Sequence, residues 1–160
     1  MSFVYGRRVP MAKKKTILDL YQMKEKGEQA VWIVLYDACY ASYAEEAGMD
    51  MILCGDSVGM IVYGMNGTVP VTMDVSIAHC QGVRRGAPNT YLIGDMPFGA
   101  YHASVEDAVR NAVRFYKEAD VDAIKLDRSF FYGENNNRRN RFIIEAILKM
   151  AAQMHIRTVA

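Results

Sequence analysis

The chain has 160 residues, 51% apolar and 23% charged, and its 19 Lys and Arg against 18 Asp and Glu leave a formal charge of +1. That is the profile of one globular domain, large enough to build a core without disulfides or a structural metal. Near-neutral charge argues against nucleic acid as a partner, which needs an excess of clustered Lys and Arg. No apolar run approaches the ~18 residues of a membrane span.

Residues 1–15 contain Arg7, Arg8, Lys13, Lys14 and Lys15 and read as a solvated basic tail, with no apolar stretch of a secretory signal. Residues 16–160 read as one domain. Thr16 caps a short helix over 16–27 that Gly27 stops, and residues 31–35 form an apolar, β-rich strand. A helix over 37–47 ends at Gly48, and 49–54 is a second buried strand, completing one βαβ unit. Residues 55–72 hold four glycines and one proline without helical period, which predicts a long loop leaving the carboxyl end of that strand. A helix over 73–84, a strand over 90–94, a helix over 104–119 and a strand over 123–126 follow. The helix over 104–119 has Val105, Ala108, Val109, Ala112, Val113 and Tyr116 on one side. The polar stretch 128–141 reads as a solvated connection, 138–153 as a helix and 156–160 as the start of a fifth strand. This alternation predicts an α/β fold of parallel strands joined by crossover helices.

Cys39, Cys54 and Cys80 form no CxxC pair, so neither a disulfide framework nor a zinc knuckle is indicated. Each lies in an apolar stretch and reads as an inert buried thiol in a reducing compartment, so a cytoplasmic location is expected. His79, His102 and His155 share no metal-ligand spacing and read as packing or surface residues, and the eleven methionines as adaptable packing.

The chemistry gathers on aspartates. Asp56, Asp95 and Asp127 each end a predicted strand, and their separations of 39 and 32 residues match successive βα units. In a parallel sheet all three emerge on one edge, on strands ~4.8 Å apart, where they repel one another unless a cation sits between them. Any one of them is explained by capping the helix that follows. Three on consecutive strands favour a shared hard ion, with Mg²⁺ the first choice because it binds through a few carboxylates and keeps sites for substrate and water. Lys125, two residues before Asp127, shares its strand face and needs an anion there, either a substrate carboxylate or one of the aspartates. Ser57 follows Asp56 and brings a hydroxyl and an amide beside Gly55 and Gly59.

Several blocks of sequence bear a family resemblance: Tyr36-Asp37, Ala47-Gly48-Met49-Asp50, Gly55-Asp56-Ser57-Val58-Gly59-Met60, Val69-Pro70-Val71-Thr72, Val83-Arg84-Arg85-Gly86-Ala87-Pro88-Asn89, Asp95-Met96-Pro97-Phe98 and Lys125-Leu126-Asp127. In this order the chain resembles the ketopantoate hydroxymethyltransferase family, within the phosphoenolpyruvate mutase and isocitrate lyase superfamily. The resemblance implies the N-terminal part of a (β/α)8 TIM-type barrel. It also implies transfer of a one-carbon unit from 5,10-methylenetetrahydrofolate to 3-methyl-2-oxobutanoate, giving ketopantoate for pantothenate and coenzyme A.

By the same resemblance Asp56, Asp95 and Asp127 hold Mg²⁺, and Ser57, Asp95 and Lys125 contact the oxoacid. Two blocks depart from the family pattern: Asp127-Arg128-Ser129 stands where Glu and two glycines are usual, and Asn66-Gly67-Thr68 where Asp-Ser-Thr is usual. A (β/α)8 barrel usually takes ~250 residues, so the resemblance implies truncation at the fifth strand, with the family's catalytic glutamate and histidine beyond Ala160. A homo-oligomer is expected to cover the exposed sheet edge. Two alternatives are another carbon-carbon or carbon-phosphorus bond enzyme acting on a 2-oxoacid, and a non-catalytic chain that binds metal and oxoacid only.

Overall fold

Thr16 lies three residues ahead of Asp19, and the pair forms a capping box. The Asp19 N–H donates to the Thr16 hydroxyl at 3.4 Å and the Thr16 N–H donates to the Asp19 carboxylate at 2.6 Å, starting α1 (Ile17–Glu25). The computed structural model describes residues 13–127, with short stretches of backbone at 3–4, 7–8, 145–146, 149 and 157–159. At the start, β1 (Phe3–Val4) and β2 (Arg7–Arg8) pair antiparallel. After α1 come β3 (Trp32–Val34), α2 (Ala38–Glu46), β4 (Met51–Cys54), the one-turn α3 (Val58–Ile61), α4 (Met73–Gly86), β5 (Tyr91–Asp95), α5 (Val105–Ala119), β6 (Ala123–Lys125) and β7 (Arg157–Val159).

The sheet runs β3-β4-β5-β6-β7 with every neighbouring pair parallel. Each new strand is added on the same side of the last. That one-way winding distinguishes a barrel from a doubly wound sheet, whose strand order reverses. The period of two splits the strands between two faces. Ile52, Cys54, Leu92 and Ile124 pack against Ala41 and Ala44 of α2, Ile77, Cys80 and Val83 of α4, and Ala108, Ala112 and Phe115 of α5. On the other face Leu53, Tyr91, Ile93 and Ala123 meet Ile17 and Leu20 of α1.

β5 is buried throughout, whereas all three residues of β3 are exposed at one edge of the sheet. Two glycines set the helix packing. A Cβ on Gly86 would collide with the backbone of Ala38, so α4 lies close against the start of α2 only because that position has no side chain. A Cβ on Gly94 would stand 3.1 Å from the ring of Phe115, which occupies that space in the core.

At the amino ends of the strands, buried polar groups are cross-linked. Arg84, near the end of α4, donates to the carbonyls of Ala87, Pro88, Thr90 and Asp120 and to the Asp122 carboxylate at 2.5 Å. Glu45 accepts from the N–H groups of Asn89 (2.8 Å) and Thr90 (2.9 Å) and from the Thr90 hydroxyl and Asn89 amide. The Val83–Asn89 block of the family resemblance therefore does structural work at this end, away from the aspartates that end the strands.

Two expectations are corrected here, the burial of Cys39 and the irregularity of the loop 55–72. Lys14 and Lys15, with side chains 37% and 39% exposed, pair with Asp122 at 2.7 Å and with the buried Asp50. Cys39 is exposed, since it lies on the side of α2 away from the buried Ala41 and Ala44, while Cys54 and Cys80 are buried as expected. The adjacent Cys54 thiol and burial hold the Cys80 thiol well above its usual range. The loop 55–72 is not entirely irregular, because α3 occupies its start. The polar stretch 128–141, the helix over 138–153 and His155 lie outside the described residues, apart from helical backbone at 145, 146 and 149.

Candidate functional site

The carboxyl ends of β4, β5 and β6 bring together the side chains singled out in the sequence. Asp95 is the last residue of β5 and is buried at 5% exposure. Lys125, the last residue of β6, pairs with it in register and directs its ammonium at both carboxylate oxygens, 2.9 Å from each. The anion that Lys125 needs is thus an aspartate one strand away. From β4 the chain turns through Gly55 so that the Asp56 N–H also donates to the Asp95 carboxylate.

Even so, burial pushes the Asp95 carboxyl above its ordinary value, and the charge of Asp56 pushes it further, against the pull of Lys125. The phenol of Tyr101 lies close to all three aspartates. Burial raises it to about 12, and the charges of Asp127, Asp95 and Asp56 add to the effect. Its oxygen accepts the Asp127 N–H at 3.2 Å.

Among the described residues no three His, Cys, Asp or Glu side chains form a ligand group as they stand. Mg²⁺ does not need such a cage, since it is commonly held by one or two carboxylates with substrate oxygens and waters completing the octahedron. Asp56 and Asp95 fit that requirement: they are hard oxygen donors on adjacent strand ends, and a cation relieves the repulsion that raises Asp95.

Ser57, next to Asp56, has its hydroxyl 2.8 Å from the phenol oxygen of Tyr36, just past the end of β3. The Tyr36 carbonyl accepts from His79 Nδ1 at 2.6 Å, and His79 Nε2 is 3.0 Å from the Tyr63 hydroxyl. The sequence reading gave Tyr63 no place in the site and met Tyr36 in the Tyr36-Asp37 block of the family resemblance. Tyr36 carried a further signal, because it stands at the end of its strand as Asp56 and Asp95 do. His102 packs on Phe98 and Tyr101, and burial lowers its imidazole pKa, in keeping with a packing role.

A family model described as ketopantoate hydroxymethyltransferase matches residues 14–148. The chain belongs to the ketopantoate hydroxymethyltransferase family. It is 62% identical over 136 residues to the 3-methyl-2-oxobutanoate hydroxymethyltransferase of Alkaliphilus metalliredigens, a match covering 85% of this chain and 47% of that protein. With the protein of the same name from Geobacillus kaustophilus it is 50% identical over 115 residues, 72% of this chain and 40% of that one. The chain thus spans less than half the length of these curated relatives.

Two solved structures share the fold. One is 2,3-dimethylmalate lyase, a PEP mutase/isocitrate lyase superfamily member (TM-score 0.66, 17% identity, 88% of this chain and 50% of that one). The other is phosphonopyruvate hydrolase (TM-score 0.67, 15% identity, 90% and 51%). This hydroxymethyltransferase-family chain is therefore an α/β unit whose parallel strands wind one way, the fold it shares with those two structures. Among the described residues no helix is long and apolar enough to cross a membrane.

Proposed function

We propose that this chain binds and orients a 2-oxoacid, 3-methyl-2-oxobutanoate, for hydroxymethyl transfer from 5,10-methylenetetrahydrofolate, giving ketopantoate. The names of its curated relatives support the reaction. The observation that carries the reading is the buried Asp95 held by Lys125 beside Asp56, a desolvated excess of carboxylate at the strand ends, where enzymes of this architecture place their chemistry.

In this reading Asp56 and Asp95 hold Mg²⁺, and Asp127 stands as the third acidic position. The fold relative phosphonopyruvate hydrolase was determined as a complex with oxalate and Mg²⁺, a two-carbon dianion whose oxygens resemble those of a 2-oxoacid. When bound, Mg²⁺ supplies Lewis acidity toward the oxoacid's carboxylate and keto oxygens. The chain's own groups do the rest. Lys125 is one ammonium shared between Asp95 and an incoming carboxylate, and Ser57 donates a hydroxyl and an amide to the same anion.

Titration calorimetry of 3-methyl-2-oxobutanoate in Mg²⁺ tests the reading. The unaltered chain is expected to bind. Asp95→Asn is expected to weaken binding by about 10- to 100-fold, the worth of one charge-assisted contact, with the circular dichroism spectrum unchanged. Failure of the unaltered chain to bind the oxoacid refutes the proposal.

A further inference from the structure

The chain of contacts from Ser57 through Tyr36 to His79 is not absorbed by the proposed ion and anion contacts. It joins residues distant in sequence and contained in three different elements: the end of β3, the turn after β4 and the middle of α4. The Ser57 hydroxyl fits where it does for two reasons. The Tyr36 phenol oxygen is 2.8 Å away, and Gly55 leaves the space, since a Cβ there would stand 2.9 Å from Ser57 Oγ. A serine side chain with a rotatable hydroxyl is a poor anion contact unless something selects its rotamer, because each free rotor costs entropy when it is fixed on binding.

Tyr36 is itself held. A carbonyl only accepts, so His79 Nδ1 carries the proton that goes to the Tyr36 carbonyl at 2.6 Å. In the neutral ring this leaves Nε2 as an acceptor for the Tyr63 hydroxyl, 3.0 Å away, with the two rings edge to face at 89°. One imidazole thus ties the end of β3 to the segment just after α3, in the same loop that begins with Asp56 and Ser57.

We propose that Tyr36 is a positioning residue that sets the Ser57 hydroxyl toward the bound oxoacid, and that His79 holds Tyr36 in place by donating to its carbonyl. This rests on the oxoacid site proposed above and adds to it a residue that need not touch the ligand. The loss of one neutral hydrogen bond is worth a factor of about three to ten in affinity, so the expected effects are modest.

Calorimetric titration of 3-methyl-2-oxobutanoate at fixed Mg²⁺ on the full chain and its variants decides it. Tyr36→Phe and Ser57→Ala are each expected to weaken binding about three- to ten-fold. The double variant is expected to bind no more weakly than Ser57→Ala alone, because without the serine hydroxyl the phenol has nothing to position. His79→Leu is expected to weaken binding by a similar factor. His79→Asn, whose amide nitrogen replaces Nδ1, is expected to restore most of it, although it cannot reach Tyr63. A purely structural role predicts instead that the Tyr36 and Ser57 effects multiply and that the two His79 variants behave alike.

Multiplying effects, or Tyr36→Phe binding as tightly as the unaltered chain, overturn the proposal while leaving the oxoacid site standing. Absence of binding by the unaltered chain removes the site and this inference together.

Discussion

At the amino ends of the strands Asp50 and at the carboxyl ends Asp95 are buried to the same 5% exposure, yet their surroundings differ in kind. Asp50 accepts the Val31 N–H at 2.7 Å and pairs with Lys15. Its neighbour Asp122 accepts from the Leu92 N–H, Arg84 and Lys14. Each carboxylate there is matched to cations and amides, with Arg84 at the centre. Asp95 has one ammonium and one amide, but it also faces the charge of Asp56, and burial leaves its carboxyl raised. Burial alone therefore does not tell structural acids from functional ones. What sets Asp95 apart is the second carboxylate beside it, a charge that a cation or a ligand would offset.

The comparison breaks most easily at Arg84. Arg84→Ala removes several hydrogen bonds and leaves the half-buried Asp122 with only Lys14 and the Leu92 N–H, so a loss of about 2–3 kcal/mol in urea unfolding is expected, with oxoacid affinity of the folded fraction within about two-fold. A ten-fold loss of affinity at unchanged stability would erase the distinction between the two ends.

A smaller effect, opposite in direction, is expected at the carboxyl edge. Replacing the pair together, Asp95→Asn with Lys125→Met, removes a costly buried charge along with its partly exposed partner, so stability stays level or rises by about 1 kcal/mol while oxoacid binding disappears. If the double variant unfolds several kcal/mol more easily, this pair belongs with the structural clamps.

The smallest effect is at Asp19, an exposed carboxylate. Hydrogen bonds from the Thr16 side chain and backbone hold its carboxyl below the ordinary value. A depressed carboxylate contributes stability above the unfolded aspartate value of about 3.9 and loses it as pH falls through the depressed folded value. Thr16→Ala is therefore expected to flatten the acid limb of a plot of unfolding midpoint against pH. An unaltered limb would show that the capping box does not contribute there.

Much of this was legible in residue order. The apolar runs and the helical period over 105–119 located the elements, and Thr16 announced its helix, because propensity, capping and periodicity act within a few residues. The placing of Asp56, Asp95 and Asp127 at strand ends followed from the βα rhythm. Three things were not legible. Arg84 and Asn89 stand in one of the blocks of family resemblance, and only the packing of α4 shows that they work at the opposite end of the sheet from the aspartates. Cys39 lies in an apolar stretch but faces outward, because α2 turns Ala41 and Ala44 to the core. Tyr36 and His79 meet across 43 residues of sequence.

By itself the sequence determined the order and type of the elements and which residues end each strand, since these depend on local backbone preference and on the alternation of apolar side chains. Only the tertiary structure decided the partners: that Lys125 faces Asp95, that the Tyr36 hydroxyl meets Ser57, and that Lys14 and Lys15 pair with Asp122 and Asp50. Strand register and helix packing set those pairings. They arise when distant segments bury a common face, where an unmatched charge costs more than the ordering of its partner.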